Sequence, residues 1–385
     1  MSGPLEGLKV LELAGIGPSP YACMLLADLG ADVLRLERGD ADADATTSWD
    51  VLNRSRHSVA IDLKSEAGRD LVLDLCEQAD VLIEGFRPGV TERLGLGPED
   101  VWRRNRRLVY GRMTGYGQDG PLASRAGHDI NYIGVSGALW PVGRAGERPV
   151  PPLNFVGDFG GGALFLVFGV MSALFAAQRS GEGQVVDAAM VDGSASMMAM
   201  THSLMNNGYW LEERGVNILD TGAHFYDVYE TKDQRYVAVG AIEAKFYAEL
   251  LSGLGLNPID LAPQMDRTQW PAMKEKFAAI FLEKTRDEWT EIFHDVDACV
   301  TPVLSPSEAA HHPYNTARNV FSVEGAVQPE PAPRFSKTPG AVSQPPRDAG
   351  SGTREGLRNW GVSEERLVAL AEAGAFGSIT FGELG

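Results

Sequence analysis

Asn154 to Gly193 reads NFVGDFGGGALFLVFGVMSALFAAQRSGEGQVVDAAMVDG, and what this stretch becomes decides the kind of molecule the chain builds. A Gly-Asp pair opens it, three glycines follow, and an apolar run extends from Ala163 to Ala177. The pattern predicts one buried helix, with the Gly-rich stretch as a turn at its start and Gln178-Arg179-Ser180-Gly181 closing its end. Counted from Phe159 the run nearly spans a bilayer, yet three of its first four residues are glycine. Neither flank carries the basic or aromatic anchors of a membrane surface, so a core helix of a soluble protein is expected. Asp158 at the start of this helix has two readings. It is a plain N-cap, or it is a reactive carboxylate whose anion the helix dipole favours, with glycines that let another molecule approach the backbone.

The 385 residues allow roughly two or three domains, and a hydrophobic content of 44% is ample for sizeable cores. A formal charge of -18 argues against general nucleic-acid binding and against an anionic membrane surface. An anionic substrate must therefore meet a local cluster of cations. Cys23, Cys76 and Cys299 form no metal or redox spacing and suggest a reducing compartment. The residues before Leu5 carry neither a basic region nor an apolar run, so no signal peptide is expected and a cytoplasmic location is.

In the first part of the chain, strand and helix patterns alternate. Strands are expected at Leu8–Leu13, Ala31–Leu36, Ser58–Leu63, Asp80–Glu84 and Leu108–Arg112, with helices at Tyr21–Leu29 and Ala67–Ala79. That alternation is the α/β, doubly wound, Rossmann-like pattern of a parallel sheet. The turn after the first strand contains Gly15-Ile16-Gly17, and Glu37 ends the second strand, which together begin like a dinucleotide fingerprint. The third glycine is absent, however, and Pro18 and Pro20 occupy the turn. A tight strand-to-helix turn with Pro near a helix start explains it as well. Cations recur just after the strands: Arg38, Lys64, and then Arg87 and Arg93 within GFRPGVTERLG. Ligands of open parallel sheets bind outside those strand ends. Four cations there suit a polyphosphate, by bidentate Arg contacts and a Lys point charge, although each alone reads as a solvated surface charge.

The runs VLELAGIGPSPYACMLLADLGADVLRLER, NRSRHSVAIDLKS, EGFRPGVTERLGLG, GYGQDGPLASRAGHDINY and PPLNFVGDFGGGALF, in this order, resemble the family III CoA-transferase superfamily. Within it the resemblance is strongest to the alpha-methylacyl-CoA racemase branch. It extends through AHFYDVYETKDQRYVAVGAIEAKFY and ACVTPVLSPSEA. It implies that a His and an Asp flank the substrate α-carbon as two bases while a Glu holds the His. Those positions match His128, Asp158 and Glu243. Alone, His128 reads as a structural histidine beginning a helix, and Glu243 as an acid at a helix N-terminus.

Racemisation next to a thioester removes a proton from one face and returns one to the other, so two groups of moderate pKa suit it. His is poised near neutrality. For Asp158, the helix dipole lowers and apolar surroundings raise the pKa, and sequence alone does not say which wins. Backbone N–H groups around Asp129 are the candidate donors to the enolate oxygen. No metal or redox cofactor is expected; CoA is carried by the substrate. Ile16, Ala60, Gly85 and Tyr132 are expected to join Arg38, Lys64, Arg87 and Arg93 in the CoA site. In the transferases the equivalent Asp is a nucleophile that carries an acyl-CoA-derived anhydride, a scheme in which a His with a remote Glu has no role.

Met190, Met197, Met198, Met200 and Met205 cluster after Gly183. Such a stripe reads as core or subunit interface; the resemblance implies instead that Met190, Met197 and Met198 accept a long, variable acyl chain. Tyr226–Gly240 predicts a hairpin around Lys232-Asp233, and helices are expected at Ala244–Leu254 and Trp270–Leu282. Val327–Asp348, rich in Pro, Gly and Ser, reads as an extended linker, and Ser363–Ala373 as a closing helix capped by Ser363. The expected organisation is a large CoA-binding α/β domain over 1–188, a helical linker over 189–221, a small α+β domain over 222–320, and a segment over 321–385 that returns to the large domain. The resemblance further implies an interlocked homodimer in which Glu243 reaches His128 of the other subunit. Three activities stand: a 2-methylacyl-CoA racemase, a CoA transferase using Asp158 as nucleophile, and, more remotely, an NADP-dependent oxidoreductase. Branched fatty acyl, sterol side-chain and 2-arylpropionyl thioesters all fit the first.

Overall fold

The computed structural model describes residues 3–38, 49–323 and 325–384. Its first unit comprises 1–136, 153–197 and 328–385, its second 137–152 and 198–327. The expected span of 1–188 is thus interrupted by 137–152, which packs with the second unit. Residues 189–197, expected in a linker, belong to the first.

Strands β1 (Lys9–Leu13), β2 (Asp32–Glu37), β3 (His57–Ala60), β4 (Val81–Glu84), β5 (Val109–Thr114) and β6 (Val185–Ala189) form one parallel sheet in the order 3-2-1-4-5-6. The short, largely apolar runs of β1 to β5 are the signature of strands buried on both faces, whereas β6, at one edge, is only partly buried. Alternate residues point to opposite faces. Leu11 and Leu13 enter a core with Leu34, Leu36, Leu71, Leu75 and Leu82. Val10, Val33, Val81 and Ile83 enter another with Ala22, Leu26, Leu166 and Val170. Two covered faces require helices on both sides, which the connections Pro18–Asp28 and Glu66–Cys76 and the helix Phe165–Ser180 supply.

The apolar run of 163–177 departs from expectation at both its start and its surface. The helix begins at Phe155, as a wide π-helical segment Phe155–Leu164 that runs directly into Phe165–Ser180. The glycines are therefore inside the helix rather than in a turn before it. One face, carrying Leu166, Val170, Ala173 and Ala177, packs on the sheet. The opposite face is open in the single chain, where Phe168 is 72% and Phe175 61% exposed. Composition made the helix look buried all round, but its packing is one-sided: its most apolar window is only 33% buried.

Strand β3 lies at a sheet edge, yet Ser58, Val59 and Ala60 are buried because the last segment of the chain covers them. Gly352 N–H donates to Ser58 O at 3.0 Å and Gly350 N–H to Ser58 Oγ at 2.6 Å. Asp62 N–H donates to Ala375 O at 2.8 Å. Arg54, fully buried, joins Asp28 through Nη2–Oδ2 at 2.6 Å and also donates to Pro329 O at 2.7 Å. Of residues 327–348, expected as an extended linker, 328–348 belong to the first unit and are bound to it at points along their length. The helix Glu364–Glu372 follows, with Ser363 Oγ accepting from Arg366 N–H as its cap.

The second unit holds an antiparallel sheet of β7 (Tyr226–Glu230), β8 (Tyr236–Gly240) and β9 (Val300–Val303). Its hairpin turns at Lys232-Asp233, where Thr231 Oγ1 donates to Asp233 Oδ1 at 2.6 Å. Aromatic side chains dominate its core, among them Phe225, Tyr229, Trp270, Phe277, Phe281 and Trp289.

Candidate active site

The strand order reverses between β1 and β4, and the residues leaving the carboxyl ends of β1, β4 and β5 diverge there, which is where such sheets bind ligands. A cleft of about 510 Å³ occupies that place. It is lined by Ile16–Ser19 after β1, Gly85–Pro88 after β4 and Thr114–Tyr116 at the end of β5, closed by Ala123, Arg125–His128, Tyr132, Asp158 and Met190.

Each base is placed by its local chain. His128 immediately precedes the helix Asp129–Ser136. Its N–H donates to Asn131 Oδ1 at 3.0 Å, and its carbonyl accepts from Asn131 N–H at 2.8 Å. This closes the first turn and leaves the imidazole exposed to the cleft. The Asp129 amide is at the helix start, among the donors that lack an intrahelical acceptor.

Asp158 is the fourth residue of the π-helical segment and does not cap it: Asn154 stands at the N-cap, and Asn154 Nδ2 donates to Asp158 Oδ2 at 3.2 Å. The capping role falls to Asp129, whose Oδ2 accepts from Gly157 N–H at 2.6 Å and Asp158 N–H at 2.7 Å. Burial pushes the Asp158 carboxyl above its usual range. The Asn154 hydrogen bond and His128 oppose that shift, while the Asp129 charge adds to it. Burial therefore outweighs the Asn154 and His128 contributions here. Gly17, at φ 68°, brings its backbone against this carboxylate: a Cβ there would lie 3.1 Å from Asp158 Oδ2. Beside it, Tyr132 donates to Gly127 O and meets Tyr116 edge-on at 4.9 Å, its hydroxyl pKa pushed up to about 12 chiefly by burial.

The glycines after Asp158 serve the protein's own packing. A Cβ on Gly161 would lie 2.6 Å from Ser194 N and 3.0 Å from Met190 O, so only glycine lets the helix Met190–Met197 come this close.

Of the expected CoA residues, Ile16, Gly85, Arg87 and Tyr132 line the cleft with His128, Asp158 and Met190. Arg38 and Lys64, shortly after β2 and β3, and Arg93, at the end of the short helix Val90–Arg93, are exposed but outside that lining. Ala60 is fully buried and its N–H donates to Thr353 Oγ1 at 2.8 Å, so it presents nothing to solvent. Met197 is exposed in the first unit. Met198 and Glu243 belong to the second, where Glu243 precedes the helix Ala244–Gly253, exposed and without a side-chain cap bond.

Sequence reasoning passed over Ser19, Thr114, Tyr116 and Arg125. The first three follow or end strands, so the strand-end rule applied to all polar residues would have found them; Arg125 sits in a loop that gave no signal. The partial dinucleotide fingerprint does not become a phosphate cradle. Pro18 and Pro20 remove two N–H donors from the helix start. Glu37 is committed internally, to Arg35 at 3.2 Å and to the Ser58 hydroxyl.

The chain matches the family model described as CoA-transferase family III over residues 5–352. It is 47% identical over 370 residues to the alpha-methylacyl-CoA racemase of Mus musculus, an alignment covering 95% of this chain and 96% of that protein. It is 45% identical over 370 residues to the alpha-methylacyl-CoA racemase of Homo sapiens, with coverage of 95% and 96%. Its fold is shared with a CaiB/BaiF family protein from Brucella suis, at 24% identity and a TM-score of 0.79, over 93% of this chain and 99% of that one. With its matching fold, and a family match over nearly all its length, the chain belongs to CoA-transferase family III.

Proposed function

We propose that this protein is a racemase that interconverts (R)- and (S)-2-methylacyl-CoA thioesters through an enolate. The observation that carries the reading is one cleft lined by both His128 and an Asp158 whose carboxyl is held above its usual range. From the S substrate, a neutral His128 nitrogen takes the α-proton, and the electrons of the broken C–H bond move onto the thioester oxygen. Protonated Asp158 then delivers its proton to the opposite face as the carbonyl re-forms. The R substrate runs the same steps with the roles exchanged. Burial raises the Asp158 pKa and so favours its protonated form, the form that delivers the proton in this scheme. The amide of Asp129, at the start of its helix, would donate to the enolate oxygen.

Arg38, Lys64, Arg87 and Arg93 would meet the CoA phosphates, and Met190, Met197 and Met198 the acyl chain, whose α-carbon must fit two hands. The scheme uses protein groups alone. It includes a homodimer in which Glu243 of the partner subunit holds the His128 ring; the exposed Glu243 side chain, which does not cap its own helix, supports this.

The test is α-proton exchange in deuterated water on separate (R)- and (S)-2-methylacyl-CoA samples. Exchange from both enantiomers without a carboxylate acceptor is expected. Asp158→Asn should lower complete racemisation about 10²- to 10⁴-fold, the usual worth of a positioned proton-transfer group. Thioester loss that depends on a free carboxylate, with no exchange, would instead identify a CoA transferase.

A further inference from the structure

The proton-transfer scheme uses the amide of Asp129 but not its carboxylate, which is an unusual object. It is 6% exposed, and its Oδ1 is buried without a hydrogen bond. Its Oδ2 takes two backbone amides at once, from Gly157 at 2.6 Å and from Asp158 at 2.7 Å. A side chain normally caps a helix from within the same turn. Here the acceptor comes from 28 and 29 positions away, on the residue directly after His128. Gly157 is required for the contact, since a Cβ there would lie 2.6 Å from Oδ2. Charge-assisted bonds to a helix start are the strong kind, and the helix dipole offsets part of the cost of burying the anion.

We propose that Asp129 is a positioning residue: its carboxylate pins the segment bearing Asp158 to the segment bearing His128, fixing the separation of the two proton-transfer groups and holding Asp158 in the field of a second anion. The proposal rests on the two-base reading above. A displacement of the order of 1 Å between reacting groups is enough to matter at the rate level, and this link joins the two segments directly.

The test uses Asp129→Ala and Asp129→Asn in the full chain. In Asp129→Ala, α-proton exchange should fall on the order of 10²-fold from both enantiomers, in kcat rather than KM. The amides of Gly157 and Asp158 should also lose protection from hydrogen–deuterium exchange. Asp129→Asn keeps a carbonyl oxygen for the two amides and should recover most of the rate. It also removes the like charge beside Asp158, so R-specific exchange should persist to lower pH than in the parent, because Asp158 then loses its proton more readily. Rates indistinguishable from the parent's in both variants would overturn the proposal, as would an Asp129→Asn pH profile superimposable on the parent's. Amide protection reads the link without turnover. A parent that exchanges no α-proton, but whose Asp129→Ala variant loses protection at 157–158, sinks the racemase reading and leaves the link standing. Unchanged protection in Asp129→Ala sinks the link whatever the activity.

Discussion

Glu84, the residue before the cleft-lining Gly85, shows how far burial alone can move a carboxyl. It ends β4, is buried, and accepts Phe86 N–H at 2.6 Å through Oε2, while Arg112 Nε lies 3.5 Å from Oε1. Burial outweighs both partners and pushes its pKa from 4.5 up to about 7. A carboxyl raised in the folded state binds its proton more tightly there than in the unfolded chain. Its contribution to stability is therefore complete below pH 4.5 and lost as pH rises to about 7. Glu84→Gln can keep the bond from Phe86 but does not titrate. The stability of the variant minus that of the parent should climb across this window, by on the order of 3 kcal/mol, and be flat above it. Denaturant unfolding at several pH values checks this; a difference that is flat or falls through the window contradicts it. Glu84 also marks a limit of sequence reading at this scale. His128, Asp158 and the cations could be picked out by type and by place along the chain. That Glu84 is buried, that Asp129 rather than Asp158 caps the long helix, and that Ala60 is sealed under Thr353 all depend on contacts made across long stretches of sequence.

Among the elements, β1 to β5 were the most readable because each is a short apolar run flanked by turn residues; β6 and β9 were not expected, and β6 carries Asp187 at its centre. The start of the long helix was the least readable. Gly160-Gly161-Gly162 is a run that propensity alone breaks, and the sequence accordingly reads as a turn. Packing overrides propensity there: the backbone of Gly161 meets that of Gly193 and Ser194, and Tyr21 stacks obliquely on Phe159 at 4.4 Å between ring centres. The same contact makes a prediction. In Gly161→Val the first added carbon would lie 2.6 Å from the backbone nitrogen of Ser194, and backbone cannot swing aside as a side chain can. The two helices must separate, at a stability loss of roughly 1–3 kcal/mol or more, as in overpacked cores. Thermal or denaturant midpoints measure it. A variant as stable as the parent would mean that the helices do not cross at this distance.

For the whole molecule, the proposed homodimer with a shared site makes a prediction no single chain can meet. Chains carrying His128→Ala and chains carrying Glu243→Ala, co-expressed, should form heterodimers with one intact His–Glu pair, and racemase activity should rise above that of either variant alone. Activity no higher than the parents' would count against pairing across subunits. The interleaving of the two units was not legible in the sequence, because 137–152 carries no boundary signal. Its place is set by contacts such as Arg144 with buried Asp227 at 3.1 Å, 83 positions away. The segment that covers β3 has a consequence for how the protein is made. Strand β3 is translated by residue 60, but the amides and carbonyls that cover it come from residues 350–375. At about 5–20 residues per second, the ribosome leaves that edge bare for roughly 15–60 s. An uncovered strand edge is a template for any passing strand. A premature stop before residue 350 leaves that edge bare for good and should yield an insoluble product rather than a weak enzyme.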